Sequence, residues 1–340
     1  MTVSELKILL TTAKFPEEIF GDDSNKVKVL FKTYAFWLHP DKTFEDEPFK
    51  LLTKWHQEAL RKITLGTYGQ KVLATITSKK NSYELISSVP GALSEVYSAT
   101  NKQNRYVVLK VVRNKANKQF LLNEYNTLTR LHKEAAHNLL LTHVPEVVET
   151  FEVDGRQTNA INALTDYYTL EEVNKTYPKG VDGRTMAWMF NRVFGALVLT
   201  HSLGLVHNAI TPDHVMIRPH DHNGVLLDWC YATEAGQKVK AISKKWEYFY
   251  PSEMWTREVD FGADIYMGAK CMIYVLGGDP KTETMPDTVP RKIQSFLRYC
   301  LLGKNVRPRN AMEAFSDFKE VLELTYGTPK FHPFTMMPSN

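Results

Sequence analysis

The sequence predicts an α+β protein, a two-lobed domain preceded by a small all-α module, and three observations carry that prediction. Apolar residues recur at helical spacing through the first seventy positions. β-Branched residues then crowd the runs VLATITS, YELISSV, EVYSAT and RYVVLKVV between residues 72 and 112. After about residue 182 the chain is mostly helical again, broken by one short hairpin. Strands first and helices afterwards segregate the sheet from the helices. The expected divisions are 1–70 for the helical module, 71–165 for a sheet-rich lobe with one main helix, 166–326 for a helical lobe, and 327–340 for an extended tail.

Each element follows from local chemistry. In the module, Val27, Leu30, Phe31, Tyr34 and Leu38 form one helical stripe, with Asp23 or Ser24 available as N-cap. A second stripe runs through Phe49, Leu52, His56, Ala59, Leu60 and Ile63, just after Pro48, a good first-turn residue. Between them LHPDKTFEDEP is polar and punctuated by proline, which predicts a tight connection between antiparallel helices. Phe36 and Trp37 widen the apolar surface beyond one stripe, as if this helix also packs elsewhere. In the sheet-rich region Lys79-Lys80, Pro90-Gly91 and Asn101-Lys102 mark the turns of an antiparallel meander. Phe120, Leu121, Tyr125, Leu128 and Leu131 then define the main helix, and the later hairpin pairs residues around 215–217 with those around 225–227. The end, TPKFHPFTMMPSN, carries three prolines and two phenylalanines, the pattern of an extended segment that packs.

Composition narrows the class. A length of 340 residues suits two unequal domains, and 43% hydrophobic with 24% charged residues excludes a wholly disordered chain. Lys and Arg number 42 against 38 Asp and Glu, and the resulting +4 is too small for a dedicated nucleic-acid binder. Cys230, Cys271 and Cys300 are odd in number and never spaced C-x-x-C, so they read as buried small hydrophobes in a reducing compartment. No apolar run approaches the ~18 residues that span a bilayer. The N-terminus carries Glu5 and lacks the small-residue cleavage site of a secretory signal. The expectation is an intracellular, cytoplasmic protein without membrane or nucleic-acid partners.

Lys110 lies in the strand run VVLKVV, downstream of a glycine-containing turn and upstream of Glu124 on the main helix. Farther on come ALVLTHSLGLVHNAITPDHVMI, GVLLDWCY, YPSE, DIYMGAKCMIYVLGG and VRPRNAMEA. Together, in this order and spacing, these fragments resemble the protein-kinase family over roughly residues 80–325. The resemblance implies a two-lobed fold in which a strand lysine pairs a helix glutamate and reaches nucleotide phosphates.

Carried over residue by residue, the resemblance exposes departures. The catalytic-loop pattern H-R-D-L-x-x-x-N reads His207, Asn208, Ala209, Ile210, Thr211, Pro212, Asp213, His214. Ala209 stands at the proton-accepting aspartate, Thr211 at the phosphate-positioning lysine, and His214 at the metal-binding asparagine. Imidazole is a poor magnesium ligand. Asp228 matches the metal-binding aspartate of Asp-Phe-Gly, but Trp229 and Cys230 follow it. Val89, Gly91 and Ser94 occupy the three glycine positions of the phosphate-covering loop, so only Gly91 remains. Lys110, Glu124, Asp228 and Gly91 are thus the candidate nucleotide-binding residues, with Asp228 the candidate metal ligand for ATP with Mg2+. The alternative is a structural Lys110–Glu124 pair beside a hydrogen-bonded Asp228 turn. Glu253 and Arg307 match an ion pair that anchors the activation segment, and Asp264, with Gly268, matches the helix that braces the catalytic loop. His201 and His207 match core or backbone-bracing histidines. His220-Asp221-His222 falls in a PHDHNG turn, where polar residues are expected without a metal. Asn208 replaces the arginine that would receive a phosphate from Thr233 or Ser243.

The module carries His39-Pro40-Asp41 at its helix–helix connection, followed by FxxLxxxHQEAL, and so resembles a J domain. The resemblance implies that His39, Pro40 and Asp41, with the basic face of Lys26, Lys28 and Lys32 and with Lys42 beyond the loop, engage a DnaK-class chaperone. A departure is the apolar YAFWL immediately before the tripeptide, where J domains carry basic residues. The other reading of this hairpin is a packing module only. Two functions follow. One is a pseudokinase adaptor for an unidentified protein client, coupled to a co-chaperone module. The other is an atypical nucleotide-dependent transferase using Lys110 and Asp228 with a non-standard base.

Overall fold

A computed structural model describes the chain apart from residues 14, 44, 65–67, 70–71, 104, 257–258 and 337–340, and apart from the side chains of residues 41, 61 and 64. The chain forms two units, Met1–Ser88 with Ala99–Gln103 and Val89–Ser98 with Asn104–Asn340. The expected boundary at 70/71 lies outside the described residues.

In the first unit, α1 spans Val3–Thr12 and opens with a capping box: Glu5 N–H donates to Thr2 Oγ1, and Thr2 N–H donates to Glu5 Oε2. Pro16 starts α2, Pro16–Phe20. Asp23 caps a single 3-10 turn, Ser24–Lys26, which leads into α3, Val27–Trp37. The expected polar connection is itself partly helical, a correction to its reading as a simple turn. Pro40–Thr43 forms α4, because the His39 carbonyl accepts from both Lys42 N–H at 2.8 Å and Thr43 N–H at 3.1 Å. The second long helix, α5, spans Glu47–Thr64. Phe31 stacks on His56 and His39 lies edge-on to Phe49, so α3 and α5 run antiparallel. Leu6, Leu10, Ile19, Phe20, Val27, Tyr34, Leu38, Leu52 and Ala59 close the core, the last five lying on the two expected stripes. The Trp55 indole N–H donates to the Leu10 carbonyl at 3.0 Å, tying α5 to the end of α1. Strand β1, Ala74–Thr77, pairs antiparallel with β2, Ser82–Pro90, around the expected turn, where Ser78 Oγ accepts from Lys80 and Asn81 N–H.

Strand β3, Ser94–Asn101, like β2, has residues in both units. The second unit continues with β4, Tyr106–Val112, then α6, Lys118–Glu134, then β5, Val147–Val153, and β6, Arg156–Asn162. β6 lies antiparallel between β4 and β5, with Lys110 opposite Asn159. Val107, Leu109 and Val111 are buried on one face of β4, which by alternation turns Lys110 to the other face, where α6 lies.

The helical lobe is built around α8, Gly183–Ser202, capped by Asp182. Nearly every side of it is apolar and buried, which makes it a central rather than a surface helix. It follows β7, Tyr168–Thr169, and α7, Leu170–Thr176, and precedes β8, Leu205–Val206. The expected hairpin is β9, Val215–Arg218, with β10, Asn223–Leu226, and β11, Thr233–Glu234, pairs with β8. Helices α9, Phe261–Val275, α10, Arg291–Cys300, and α11, Ala311–Tyr326, complete the core, in which Phe190, Phe194, Phe296 and Phe318 pack ring on ring. In the tail, as far as residue 336, Phe334 lies against Tyr177 and Trp188, and Tyr177 Oη–H donates to the Thr335 carbonyl. All three cysteines are buried and unpaired.

Candidate active site

Lys110 is brought together with Glu124 and Asp228 as expected. Its ammonium donates to Glu124 Oε1 at 2.6 Å and to Asp228 Oδ1, and its Nζ lies 3.5 Å from Cys230 Sγ. Burial alone would lower the Lys110 ammonium, but Asp228 and Glu124 hold it well above its ordinary value. Burial would likewise raise the Asp228 carboxyl, and Lys110 followed by His214 outweighs it, holding the group well below the usual carboxylate range. Burial, with Asp228 and Glu124 close by, pushes the Cys230 thiol well up, so it stays protonated. Asp228 itself is left-handed at φ 62° and starts a 3-10 turn, Trp229–Tyr231. The Trp229 indole is fully buried and donates to the Leu226 carbonyl, which locks this segment inward.

Two supporting residues escaped the sequence reading. Asn159, opposite Lys110 on β6, donates to Glu124 Oε2 at 3.1 Å and to the Leu121 carbonyl at 2.8 Å. Both Glu124 oxygens are therefore engaged. Asn123 donates to the carbonyls of Cys230 and Ala232, tying α6 to the segment after Asp228. Both contacts join residues far apart in sequence, where no local pattern signals them.

The 207–214 loop, which matches the catalytic-loop pattern in position, is braced from several sides. Asp264 accepts from the backbone N–H of His207 at 2.7 Å and of Asn208 at 2.9 Å, while His201 joins it at 3.2 Å and accepts from Ala311 N–H. His207 Nε2 meets the Leu227 carbonyl and its Nδ1 accepts from Ala209 N–H. Asn208, left-handed at φ 66°, donates to Thr233 Oγ1 and to the carbonyls of Tyr231 and Val206, so its side-chain amide ties the loop to the 231–233 segment. Ala209 is fully buried in an apolar cluster with Val112, Leu121, Cys230 and Tyr231. Thr211 Oγ–H donates to Asp213, whose other oxygen faces Lys245 at 3.3 Å. His214 presents Nδ1 to the Ala209 carbonyl at 2.8 Å and Nε2 to Asp228 Oδ2 at 3.3 Å.

The remaining candidates separate from this centre. Gly91 N–H donates to the Ser94 carbonyl, and a Cβ on Gly91 would come within 2.8 Å of that same oxygen. The tight turn alone thus accounts for the glycine. Arg307 pairs with Glu253 and lies 3.6 Å from Asp260, and Gly262 leaves room for the guanidinium, since a Cβ there would fall 2.7 Å from Arg307 Nε. Asp221 receives the Arg218 fork, and His222 is stacked between Trp188 and Phe331 with its Nε2 buried and unpartnered. In the first unit Lys26, Lys28, Lys32 and His39 are exposed, and Lys42 Nζ sits 3.1 Å above the ring of the exposed Phe36. The side chain of Asp41 lies outside the described residues.

Among the described residues, Glu124, Asp228 and Cys230 form the group close enough to hold a metal ion, and the Lys110 ammonium already reaches all three. For ATP with magnesium the fit is divided. Lys110 offers an ammonium held by Glu124 and Asp228, and Asp228 offers one carboxylate. The second metal position is His214, a nitrogen donor where magnesium prefers oxygen, and the Glu124 oxygens are taken. The residues suit a nucleotide's phosphates better than a magnesium ion.

A β-sheet lobe with a strand lysine paired to a helix glutamate, followed by a helical lobe with a braced loop, makes this fold protein-kinase-like. Over 162 residues the chain is 29% identical to casein kinase II subunit alpha' of Saccharomyces cerevisiae, covering 44% of this chain and 42% of that protein. The chain thus spans less than half the length of this curated relative. No protein-family model matches it. Among the described residues no helix is long and apolar enough to cross a membrane.

Proposed function

We propose that this chain is a pseudokinase adaptor, a kinase-like scaffold that holds a nucleotide without efficient phosphotransfer, coupled to a J-like module that engages a DnaK-class chaperone. The observation that carries the first part is Ala209. Its methyl, at the position of the proton-accepting aspartate, is sealed in an apolar cluster and can accept nothing. Thr211, bonded to Asp213, replaces the positioning lysine. Lys110 would bind phosphate oxygens, and Glu124 and Asn159 orient its ammonium. A magnesium ion, when bound, would neutralise phosphate charge at Asp228. The co-chaperone part is supported by the antiparallel α3–α5 hairpin, by His39-Pro40-Asp41 at the start of α4 and by the exposed lysines of the 24–32 segment. A cytoplasmic setting and an unidentified protein client belong to the same proposal.

Thermal-shift titration with ATP tests the nucleotide site. A ligand that binds only the folded state at one hundred times its Kd stabilises by about 2.7 kcal/mol. The shift should vanish in Lys110→Ala; no shift at millimolar ATP removes the nucleotide from the proposal. Replacing His39 by Gln should abolish stimulation of a DnaK-class ATPase, and absence of stimulation in both proteins removes the chaperone. The alternative, a transferase with a non-standard base, is favoured by one observation: Asp213 is a hydrogen-bonded carboxylate within the loop, held below its ordinary value although burial would raise it, by His214 and Thr211. Label transfer from ATP that is lost in both Asp228→Ala and Asp213→Asn would establish that reading instead.

A further inference from the structure

The helical lobe holds a cavity of about 570 Å³ that the Lys110–Glu124–Asp228 centre does not line. Its walls are two facing helices. From α8 come Arg184, Ala187, Trp188 and Asn191, a stripe along two turns, and from α11 come Phe315, Lys319, Leu322 and Tyr326, a stripe along three. At 1.5 Å rise per residue these stripes run roughly 10 and 16 Å, so the cavity is a slot rather than a bowl. Residues 327–330 of the tail close one side. The tail is held there by Phe331 stacked on His222, which in turn stacks on Trp188.

Two properties define what the slot would take. Its floor is apolar and aromatic, with Trp188 only 8% exposed. Its charged lining is Arg184, Lys319 and Lys330 against the single acid Glu323. Asp182 lies just outside, spent on capping α8 and facing Arg184 and His332 at 3.8 Å. Trp188 Nε1 and Asn191 Oδ1, on the wall residues, are buried without a hydrogen-bond partner, an arrangement that folded proteins ordinarily avoid. At the end where α8 begins and α11 finishes, the Arg184 guanidinium stands 4.6 Å over the Tyr326 ring. A Cβ on Gly183 would fall 2.2 Å from Tyr326 Oη, so only glycine lets the two helix ends approach this closely.

We propose that this slot binds a linear amphipathic anion, an alkyl chain bearing one carboxylate. The chain would lie between α8 and α11, and the carboxylate would meet Arg184, with Lys319 and Lys330 adding attraction. The volume lies within the range of small-ligand pockets. The class follows from an elongated, largely apolar floor with cations at its rim, and the alkyl chain leaves Trp188 Nε1 and Asn191 Oδ1 unanswered. A compact ring would leave half the slot empty, and a neutral chain would leave the cations unanswered.

The experiment is calorimetric titration of the full-length chain with sodium dodecanoate below its micelle concentration, alongside dodecanol. The expected result is saturable one-to-one binding of dodecanoate, at least tenfold tighter than dodecanol. Binding should weaken at least fivefold in the exposed-site double variant Arg184→Ala, Lys319→Ala, which touches no core residue. Ala187→Leu, which adds bulk at a buried wall position, should abolish it, with the thermal midpoint of the free variant measured alongside to separate a filled slot from an unfolded protein. Anionic phospholipid vesicles distinguish a free acid from a membrane lipid; cosedimentation with vesicles in the absence of dodecanoate binding overturns the proposal. So does equal affinity for dodecanol, or dodecanoate binding unchanged in both variants.

Discussion

Lowering the pH should destabilise the kinase-like unit through His207, by an amount the geometry allows one to work out. His207 is fully buried, its Nε2 meets the Leu227 carbonyl at 2.9 Å, and its Nδ1 accepts from Ala209 N–H at 3.2 Å. Both bonds need a neutral ring carrying its proton on Nε2. A second proton on Nδ1 would turn that acceptor into a donor facing another donor. Burial accordingly pushes this imidazole down to about 4 from an ordinary 6.5, although Asp264 pulls the other way. Between those two values the unfolded chain binds the proton and the folded one does not. Stability is therefore complete above pH 6.5 and is lost as pH falls toward 4. The full loss is about 3 kcal/mol, of which about 2 kcal/mol is gone by pH 5.

The assay is urea denaturation at pH 7 and pH 5 on wild type and His207→Gln. His56, His143 and His222 are also lowered, in each case chiefly by burial, so wild type carries their losses too. The variant keeps those three and lacks His207, and the difference between the two pH slopes isolates one residue. His207→Gln should be less stable at pH 7, yet lose about 2 kcal/mol less than wild type on going to pH 5. Equal losses in the two proteins would refute the assignment of a neutral, doubly bonded His207.

Three further outcomes are expected. Ala209→Asp, which restores the family's carboxylate, should cost at least about 2 kcal/mol because it buries a charge among Val112, Leu121, Cys230 and Tyr231, and should yield no label transfer from ATP; transfer with unchanged stability would show that the position is open to substrate. Arg307→Ala should cost about 3–5 kcal/mol in urea by leaving Glu253 unpaired, and Arg307→Met with Glu253→Gln should recover most of it; a loss below 1 kcal/mol would mean that solvent already screens the pair. Asn159→Ala should cost about 1–3 kcal/mol, since it removes a buried donor from Glu124 and from the Leu121 carbonyl, and a neutral result would place both acceptors in contact with water.

The parts of this protein that were legible in its sequence are those whose physics is local. The stripes of α3 and α5 are periodic, and their stripe residues Val27, Tyr34, Leu38, Leu52 and Ala59 form much of the core of the first unit. Helix α1 was equally encoded, by the Thr2-x-x-Glu5 capping box, but its core contribution of Leu6 and Leu10 is too short a stripe to be noticed. Helix α4 was misread because Pro40 looks like a turn residue, although proline is also a good first residue of a helix. Lys110, Glu124 and Asp228 were found because their order along the chain follows a known pattern. Asn159 and Asn123 were not, because each acts across a gap that only the fold closes.

The same contrast argues about how the active centre came to be arranged. A kinase-like centre that had merely lost its chemistry would leave polar vacancies at the changed positions. Here each replacement has a partner: Ala209 is packed among apolar side chains, Thr211 bonds Asp213, His214 bridges the Ala209 carbonyl and Asp228, and Asn208 reaches Thr233. Buried polar groups stabilise a fold when satisfied and cost heavily when not, so these bonds restrain the loop, with Asn208 Oδ1 the one atom of these replacements left buried without a partner. Asp264 holds its other side through the backbone N–H groups of His207 and Asn208, which do not depend on side-chain identity, and His201 supports Asp264 while accepting from Ala311 N–H. A braced loop with Ala209 packed at the position of the proton-accepting aspartate is what the proposed scaffold role rests on.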